Sequence, residues 1–387
     1  MNLLRQIFAV SAMNIRSLPR RFWMSMVIVV GLGATVGVLL SMMSLTEGMA
    51  EAYLHAGDPG RAIIVTSGSQ SEGQSNIDRD TAAVIMEEPG IAKDASGQPL
   101  ADTAINMVIP IVRTNGTKNY ATLRGLGSQG VAVRPEFKLV AGRMFVPGKR
   151  EMMVGVGAQS QYQHTAVGDM VIMPDGEWPI VGTYHTGDIL DGEFLADSDT
   201  LMPAIRKTTY SSVIVRLTSP DALTTLKRAL AANSALSVDA VRHTDWYKRV
   251  ADLNTGLFAT LAYAIGIIMA IGALFGCLNT MYAAVSARAR EIATLRAIGF
   301  DALPVAVSVI LEAVLLALIG AAIGAVIAWS LYNGRQDSFG NAVFVLTVSP
   351  RLVGLGLLWA AAVALLGGLL PSIHAARLPI VDALRAT

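Results

Sequence analysis

Residues 286–300 read SARAREIATLRAIGF, a short basic segment set between two long apolar runs. The run before it closes at Val285, and the next opens at Pro304. Arg288, Arg290 and Arg296 share the segment with a single acid, Glu291. Short loops rich in Lys and Arg stay on the cytoplasmic side of a membrane, so a basic link of this kind fixes the direction in which its two flanking runs cross.

Two further runs of the same type lie elsewhere in the chain. The four intervals, 23–45, 255–285, 304–332 and 352–371, are each long enough to cross a ~30 Å hydrocarbon core. The composition agrees, since 53% of the residues are hydrophobic and only 15% charged, where soluble domains carry about 25% charge. A net charge of +1 provides no field that would recruit nucleic acid. The lone cysteine, Cys277, lies inside an apolar run, which excludes a disulfide framework within the chain.

Pairs of glycines four apart, Gly33 and Gly37, Gly272 and Gly276, Gly320 and Gly324, mark faces where helices can approach closely. Two polar residues interrupt the spans. Asn279 can hydrogen-bond to a neighbouring helix. Glu312, roughly 12 Å along its helix from Pro304, reads as a shallow structural anchor, protonated or paired with an arginine near the cytoplasmic face. The competing role, a proton or substrate relay, lacks a second intramembrane acid.

Residues 46–254 form a different kind of sequence, holding most of the Asp, Glu, Asn, Gln and Pro residues. Short β-type runs alternate with turns at 62–66, 107–113, 120–126, 151–155, 170–173, 178–184 and 212–217. The PDGE turn after Met173 predicts a hairpin over 170–184. Helices are expected at 81–88 and 220–233, the second with Ser219 as its N-cap. Residues 67–75 (SGSQSEGQS) read as a polar, mobile loop. His185, Asp188, Asp191, Glu193, Asp197 and Asp199 read as a solvated acidic loop, because they lack the spacing of a calcium-binding loop.

The N-terminal residues 1–22 carry Arg5, Arg16, Arg20 and Arg21 with apolar residues at helical spacing. They predict an amphipathic helix in the cytoplasmic interface, stopped by Pro19 and retained rather than cleaved. Basic residues thus precede span one, fill 286–303 and recur in the tail 372–387 at His374, Arg377 and Arg385, while the short loop 333–351 is nearly neutral. Both termini are therefore expected in the cytoplasm, with 46–254 and 333–351 on the outside. The expected fold is an α+β membrane protein: four transmembrane helices, with a large mixed α/β extracytoplasmic domain inserted between the first and second.

Catalytic signatures are missing from the sequence. There is no G-x-S-x-G elbow and no H-E-x-x-H helix. GRMFVPGK (142–149) falls short of a phosphate-binding loop, having one residue too many between its glycines and Arg150 in place of the magnesium-binding hydroxyl. Neither catalytic nor metal-ligating residues are assigned, and no cofactor is expected on this chain.

Several stretches in order resemble the MacB/FtsX-like permeases of ABC systems, the type VII or mechanotransmission class. They are RSLPRRFWMSMVIVVGLGATVGVLLSMMSLTEGM (16–49), LVAGRMFVPGKREMMVG (139–155), VGDMVIMPDGEWPIVGTY (167–184), SARAREIATLRAIGF (286–300), LEAVLLALIGAAIGAVIA (311–328) and LLPSIHAARLPIVDALRAT (369–387). The resemblance spans nearly the whole chain, but no fused ATPase domain accompanies it. It implies a permease subunit of the bacterial inner membrane, with ATP and Mg bound by a separate ABC ATPase dimer. A second permease copy or a related permease is also implied. For MacB-like efflux, the implied partners extend to a periplasmic adaptor and an outer-membrane channel.

The same resemblance makes 286–303 the ATPase-coupling segment. Arg288, Arg290, Glu291, Arg296 and Gly299 stand at the family's positions, and Ile292, Leu295 and Ile298 would supply an apolar face. The implied function is movement of the outward domain driven by the partner's ATP hydrolysis, leading to substrate efflux. Two alternatives stay open: an FtsX-like regulator of a cell-wall hydrolase, and a permease that extracts lipoproteins or lipids.

Overall fold

In the computed structural model, residues 3–17, 22–339 and 342–378 are described. Pro19, Arg20, Arg21 and the expected tail motif around Arg385 lie outside them. The chain divides into two compact units. One comprises Met1–Glu47, Leu257–Arg335 and Leu346–Thr387, and the other comprises Gly48–Gly256 and Gln336–Val345.

The first unit is helical. Its elements are α1 (Leu3–Ser17), α2 (Phe22–His55), α7 (His243–Ala287), α8 (Ala289–Ala297), α9 (Ala302–Tyr332) and α10 (Pro350–Ala376). α2, α7, α9 and α10 are long and apolar enough to cross a membrane. α10 begins where the Ser349 hydroxyl accepts the Leu352 N–H at 3.3 Å, with Pro350 at the first helical position. α2 and α7 continue beyond their apolar runs, α2 to His55 and α7 from His243. Hydropathy marks where a helix leaves apolar surroundings. The helix itself stops only where capping or propensity ends it, and residues such as Glu51, Lys248 and Arg249 propagate it well.

Glycine decides how α2 meets α9. A Cβ placed on Gly33 would sit 2.8 Å from the Gly320 carbonyl oxygen, and one on Gly37 would sit 3.5 Å from that of Gly324. In return, a Cβ on Gly324 would collide with the backbone of Gly33, and one on Gly320 with that of Val29. The two backbones touch, which only small residues permit. Gly272 and Gly276 on α7 differ, for nothing lies within 4 Å of a Cβ at either position. They line an opening beside Gly31 and Thr35 of α2. Gly324→Val is therefore expected to destabilise the helical unit by about 1–3 kcal/mol or more through overpacking. Gly276→Val should leave it unchanged, apart from the small cost or gain of helix propensity. Thermal unfolding of both variants in lipid nanodiscs makes the comparison.

The second unit is a mixed-sheet domain. Its strands are β1 (Arg61–Thr66), β2 (Ala101–Val112), β3 (Lys118–Leu126), β4 (Lys138–Gly142), β5 (Met152–Gly155), β6 (Met170–Met173), β7 (Gly176–His185), β8 (Phe194–Asp197), β9 (Ser212–Arg216) and β10 (Val238–Arg242). They form one sheet in the order β10-β1-β9-β2-β3-β8-β5-β7-β4, with β6 paired to β7. The β3–β8 and β5–β7 pairs are parallel. Helices α3 (Arg79–Met86), α4 (Val156–Gln161), α5 (Ser198–Ala204) and α6 (Ala222–Ala232) accompany the sheet. β6 and β7 make a hairpin through Pro174-Asp175, where the Trp178 indole N–H donates to Asp175 at 2.9 Å. The connection between α9 and α10 also holds a hairpin, β11 (Gln336–Phe339) with β12 (Ala342–Val345).

Three local expectations change. Asp221, not Ser219, precedes α6; Ser219 accepts the Ala222 N–H through its carbonyl instead of its hydroxyl. The acidic stretch is not solvated throughout, because Asp191, Glu193 and Asp197 are buried. Each has donors that offset its desolvation: Thr186 and Gly187 N–H for Asp191, Arg124 for Glu193, and Gly148 and Thr200 N–H for Asp197. The loop 67–75 is tied down as well, for Glu72 is buried and accepts from Arg124, Asn106 and Ser212.

Candidate functional site

The segment between α7 and α9 becomes the helix α8. Its start is set by Arg288, which breaks α7 from α8. Its end is set by Gly299 at φ +101°, a backbone conformation that favours glycine. There the Phe300 N–H reaches the Leu295 carbonyl and the Gly299 N–H reaches that of Arg296, the paired bonds of a Schellman motif. Gly299 thus terminates α8 and aims the chain into α9.

Arg288 does not face outward. Its side chain is 5% exposed, as is that of Glu312 on α9, and the two form a bidentate pair with N···O distances of 2.6 and 2.8 Å. The planar fork of a guanidinium suits this arrangement, and each group compensates the other for lost hydration. The surrounding space holds a cavity of about 20 Å³ lined by Val10 and Asn14 of α1 among others, room for one water.

α8 is fastened at further points. Ile292 and Ala293 are buried, and Ile292 joins a cluster with Met281, Val285, Val305 and Val309. Arg296 donates to the carbonyls of Ala376 and Leu378 at 2.9 and 3.2 Å. The Ala376 carbonyl is at the C-terminal end of α10, where a cation also meets the negative end of the helix dipole, and Leu378 follows the C-cap Arg377. α1 lies along α9, with the Asn14 amide donating to Ser308 at 3.1 Å and Gln6 accepting from the Asp301 N–H at 3.2 Å. α8 is therefore held to α9 by one arginine and to α10 by another.

What stays exposed on α8 is Arg290, Glu291, Thr294, Ala297 and Ile298, the last at 69%. Leu295 and Arg296 are half-buried. Of the expected coupling residues, then, Arg290 and Glu291 are open to a partner, Arg288 and Ile292 point into the helical unit, and Gly299 shapes the turn. The burial of Arg288 had a signal in the sequence. Met281, Val285 and Arg288 continue one stripe at i, i+4 and i+7, and Val305, Ser308, Val309 and Glu312 repeat the pattern on α9. Asn279 is exposed on α7.

Two family models match the chain. "MacB-like periplasmic core domain" covers residues 25–233, and "FtsX-like permease C-terminal" covers residues 263–380. The macrolide export ATP-binding/permease protein MacB of Shewanella sp. (strain ANA-3) is 24% identical over 391 residues, which is 91% of this chain and 57% of that protein. The uncharacterized ABC transporter permease YvrN of Bacillus subtilis (strain 168) is 34% identical over 128 residues, 33% of this chain and 31% of that one. The chain thus spans little more than half the length of the Shewanella relative. Among solved structures, the periplasmic region of MacB from Actinobacillus actinomycetemcomitans aligns with 51% of this chain and 94% of its own, at a TM-score of 0.38 and 15% identity.

Proposed function

The chain belongs to the FtsX-like permeases that carry a MacB-like periplasmic core domain, and from that premise we propose that it converts ATP hydrolysis by a partner ATPase into movement of its outward domain, driving export of a substrate. α8 is the input. The observation that carries this reading is the division of labour on α8, with two arginines turned inward to other helices and a free face left between them. A partner that pushes on that face moves α9 through the Arg288–Glu312 pair and α10 through Arg296. α7 joins α8 directly and, like α2, runs without a break across the boundary between the units.

The engine lies in another chain in this reading, where ATP and Mg are bound, and two copies of that ATPase act on a pair of permeases. α8 and both termini face the cytoplasm, as the basic residues require. An adaptor and an outer-membrane channel complete the export route.

Arg290 and Ile298 are the anchors by which the ATPase docks. Arg290→Glu combined with Ile298→Ala should lower recovery of the ATPase about tenfold or more when the tagged chain is purified from native membranes. Both side chains are exposed, so the variant should unfold at the wild-type temperature. Unchanged recovery of the ATPase would remove α8 as the docking element. Transport further requires that substrate or adaptor stimulate ATP hydrolysis by the purified complex. Stimulation by neither, with a cell-wall hydrolase bound to the outward domain, would replace export by regulation.

A further inference from the structure

β10 is the last strand of the ten-stranded sheet and pairs only with β1. Its register places Thr66 opposite Val238, Val65 opposite Asp239 and Ile64 opposite Ala240. One step beyond, the Ser67 N–H donates to the Ser237 carbonyl at 2.9 Å. Directly opposed residues of an antiparallel pair alternate between exchanging both hydrogen bonds and exchanging none. The bonded set is therefore Ser237, Asp239 and Val241. Val238 and Ala240 turn their N–H and C=O groups away from β1, toward the free edge.

That edge is the floor of a groove of about 720 Å³. α6 forms one wall with Lys227 and Leu230, and the first turns of α7 contribute Arg249 and Leu253. Lys227 and Arg249 are exposed, and among the described residues no carboxylate pairs with either. The one acid lining the groove, Asp239, accepts the Gly68 N–H at 3.3 Å. Unpaired backbone groups of an edge strand are a template for another strand, and natural edges are commonly protected by charge or cover. Here the two cations lie on the flanking helices, so they would attract an acidic strand rather than repel every strand.

We infer that this groove binds an extended acidic segment of a partner protein by strand addition to β10. Main-chain bonds to Val238 and Ala240 supply the affinity, and Lys227 and Arg249 select carboxylate side chains. Leu230 and Leu253 offer contacts to apolar residues between the acids. The inference concerns the outward domain alone and holds whether that domain serves export or regulation.

Blocked hexapeptides of alternating glutamate and valine, or of alternating lysine and valine, test it on the full chain in nanodiscs. Affinity is read by fluorescence anisotropy and backbone contact by amide hydrogen exchange. The glutamate peptide should bind and slow exchange at Val238 and Ala240, and the lysine peptide should bind at least about tenfold more weakly, a difference of about 1.4 kcal/mol. Lys227→Glu with Arg249→Glu should reverse that preference without altering thermal stability, since both side chains are exposed. Absence of binding, equal affinity for both peptides, or binding without protection at Val238 and Ala240 would each overturn the inference. Protection that grows with protein concentration in the absence of peptide would overturn it too, by assigning the edge to a second copy of this chain.

Discussion

Arg288→Ala is expected to destabilise the helical unit by about 3–5 kcal/mol, the usual result of leaving one member of a buried ion pair alone. Glu312 would keep its place on α9 with a side chain only 5% exposed and no guanidinium to share its charge. Arg288→Lys should recover part of the loss but not all, because an ammonium cannot reproduce two parallel bonds to one carboxylate. The double replacement Arg288→Met with Glu312→Met removes both charges, and its stability should lie within a few kcal/mol of wild type. These three variants, set against the wild type, separate two roles. If the pair only stabilises the fold, the double variant couples ATP hydrolysis to transport normally. If the pair carries force from α8 to α9 as proposed, the double variant folds and recovers the partner ATPase, and the complex hydrolyses ATP but transports poorly. Thermal unfolding and the ratio of transport to hydrolysis in proteoliposomes provide the two readouts. A fully stable Arg288→Ala protein would show that the pair contributes nothing to the fold.

Arg124→Ala should have an effect of similar size, about 3–5 kcal/mol, on the outward domain. Arg124 is buried in β3 and donates to two carboxylates, Glu72 at 2.9 and 3.1 Å and Glu193 at 2.7 and 3.2 Å. One guanidinium faces two acids, and their titration moves in opposite directions. Burial alone would raise Glu72, but Arg124 with the Asn106 and Ser212 bonds outweighs it and lowers the carboxyl below its usual range. For Glu193, burial outweighs Arg124 and the carboxyl is raised.

The signs then differ. A lowered Glu72 contributes stability at neutral pH that is lost as pH falls through its folded-state value. A raised Glu193 favours the folded state in its protonated form, and that contribution fades as pH rises through its folded-state value. Glu72→Gln should therefore cost more stability at pH 7 than Glu193→Gln, and the deficit of Glu72→Gln should shrink toward acid pH. Chemical denaturation of the full chain in nanodiscs at pH 7 and pH 4, followed by Trp178 fluorescence, measures both. A larger loss for Glu193→Gln at pH 7 would show that the second carboxylate, not the first, is the stabilising partner.

Much of the architecture was legible because its signals are one-dimensional. Four apolar runs require only length and composition. The 170–184 hairpin requires only an alternating pattern and a Pro-Asp-Gly turn, and it forms as β6 and β7. Burial of charge is another matter. Glu72 sits in a stretch of serine, glycine and glutamine that reads as solvent-exposed, and its three donors come from residues 34, 52 and 140 positions away. No local pattern announces a pairing between such distant positions. Arg124 was hidden in the same way, although a charge between Leu123 and Gly125 in a β-type run is a sign that a partner must exist.

The basic segment 286–300 shows where the division falls. Its sequence alone establishes that a charged link joins two long apolar runs and that it ends at a glycine, and its basic residues carry the expectation that such a link lies in the cytoplasm. Which of its arginines are available to a partner was decided only by the tertiary structure. Arg288, Arg290 and Arg296 are chemically identical, and their roles diverge through what the fold brings to each: a carboxylate on α9, open surface, and the carbonyl end of α10. The physical reason is that a charge leaves water only where distant groups converge to replace that hydration, and convergence is a property of the packed helices.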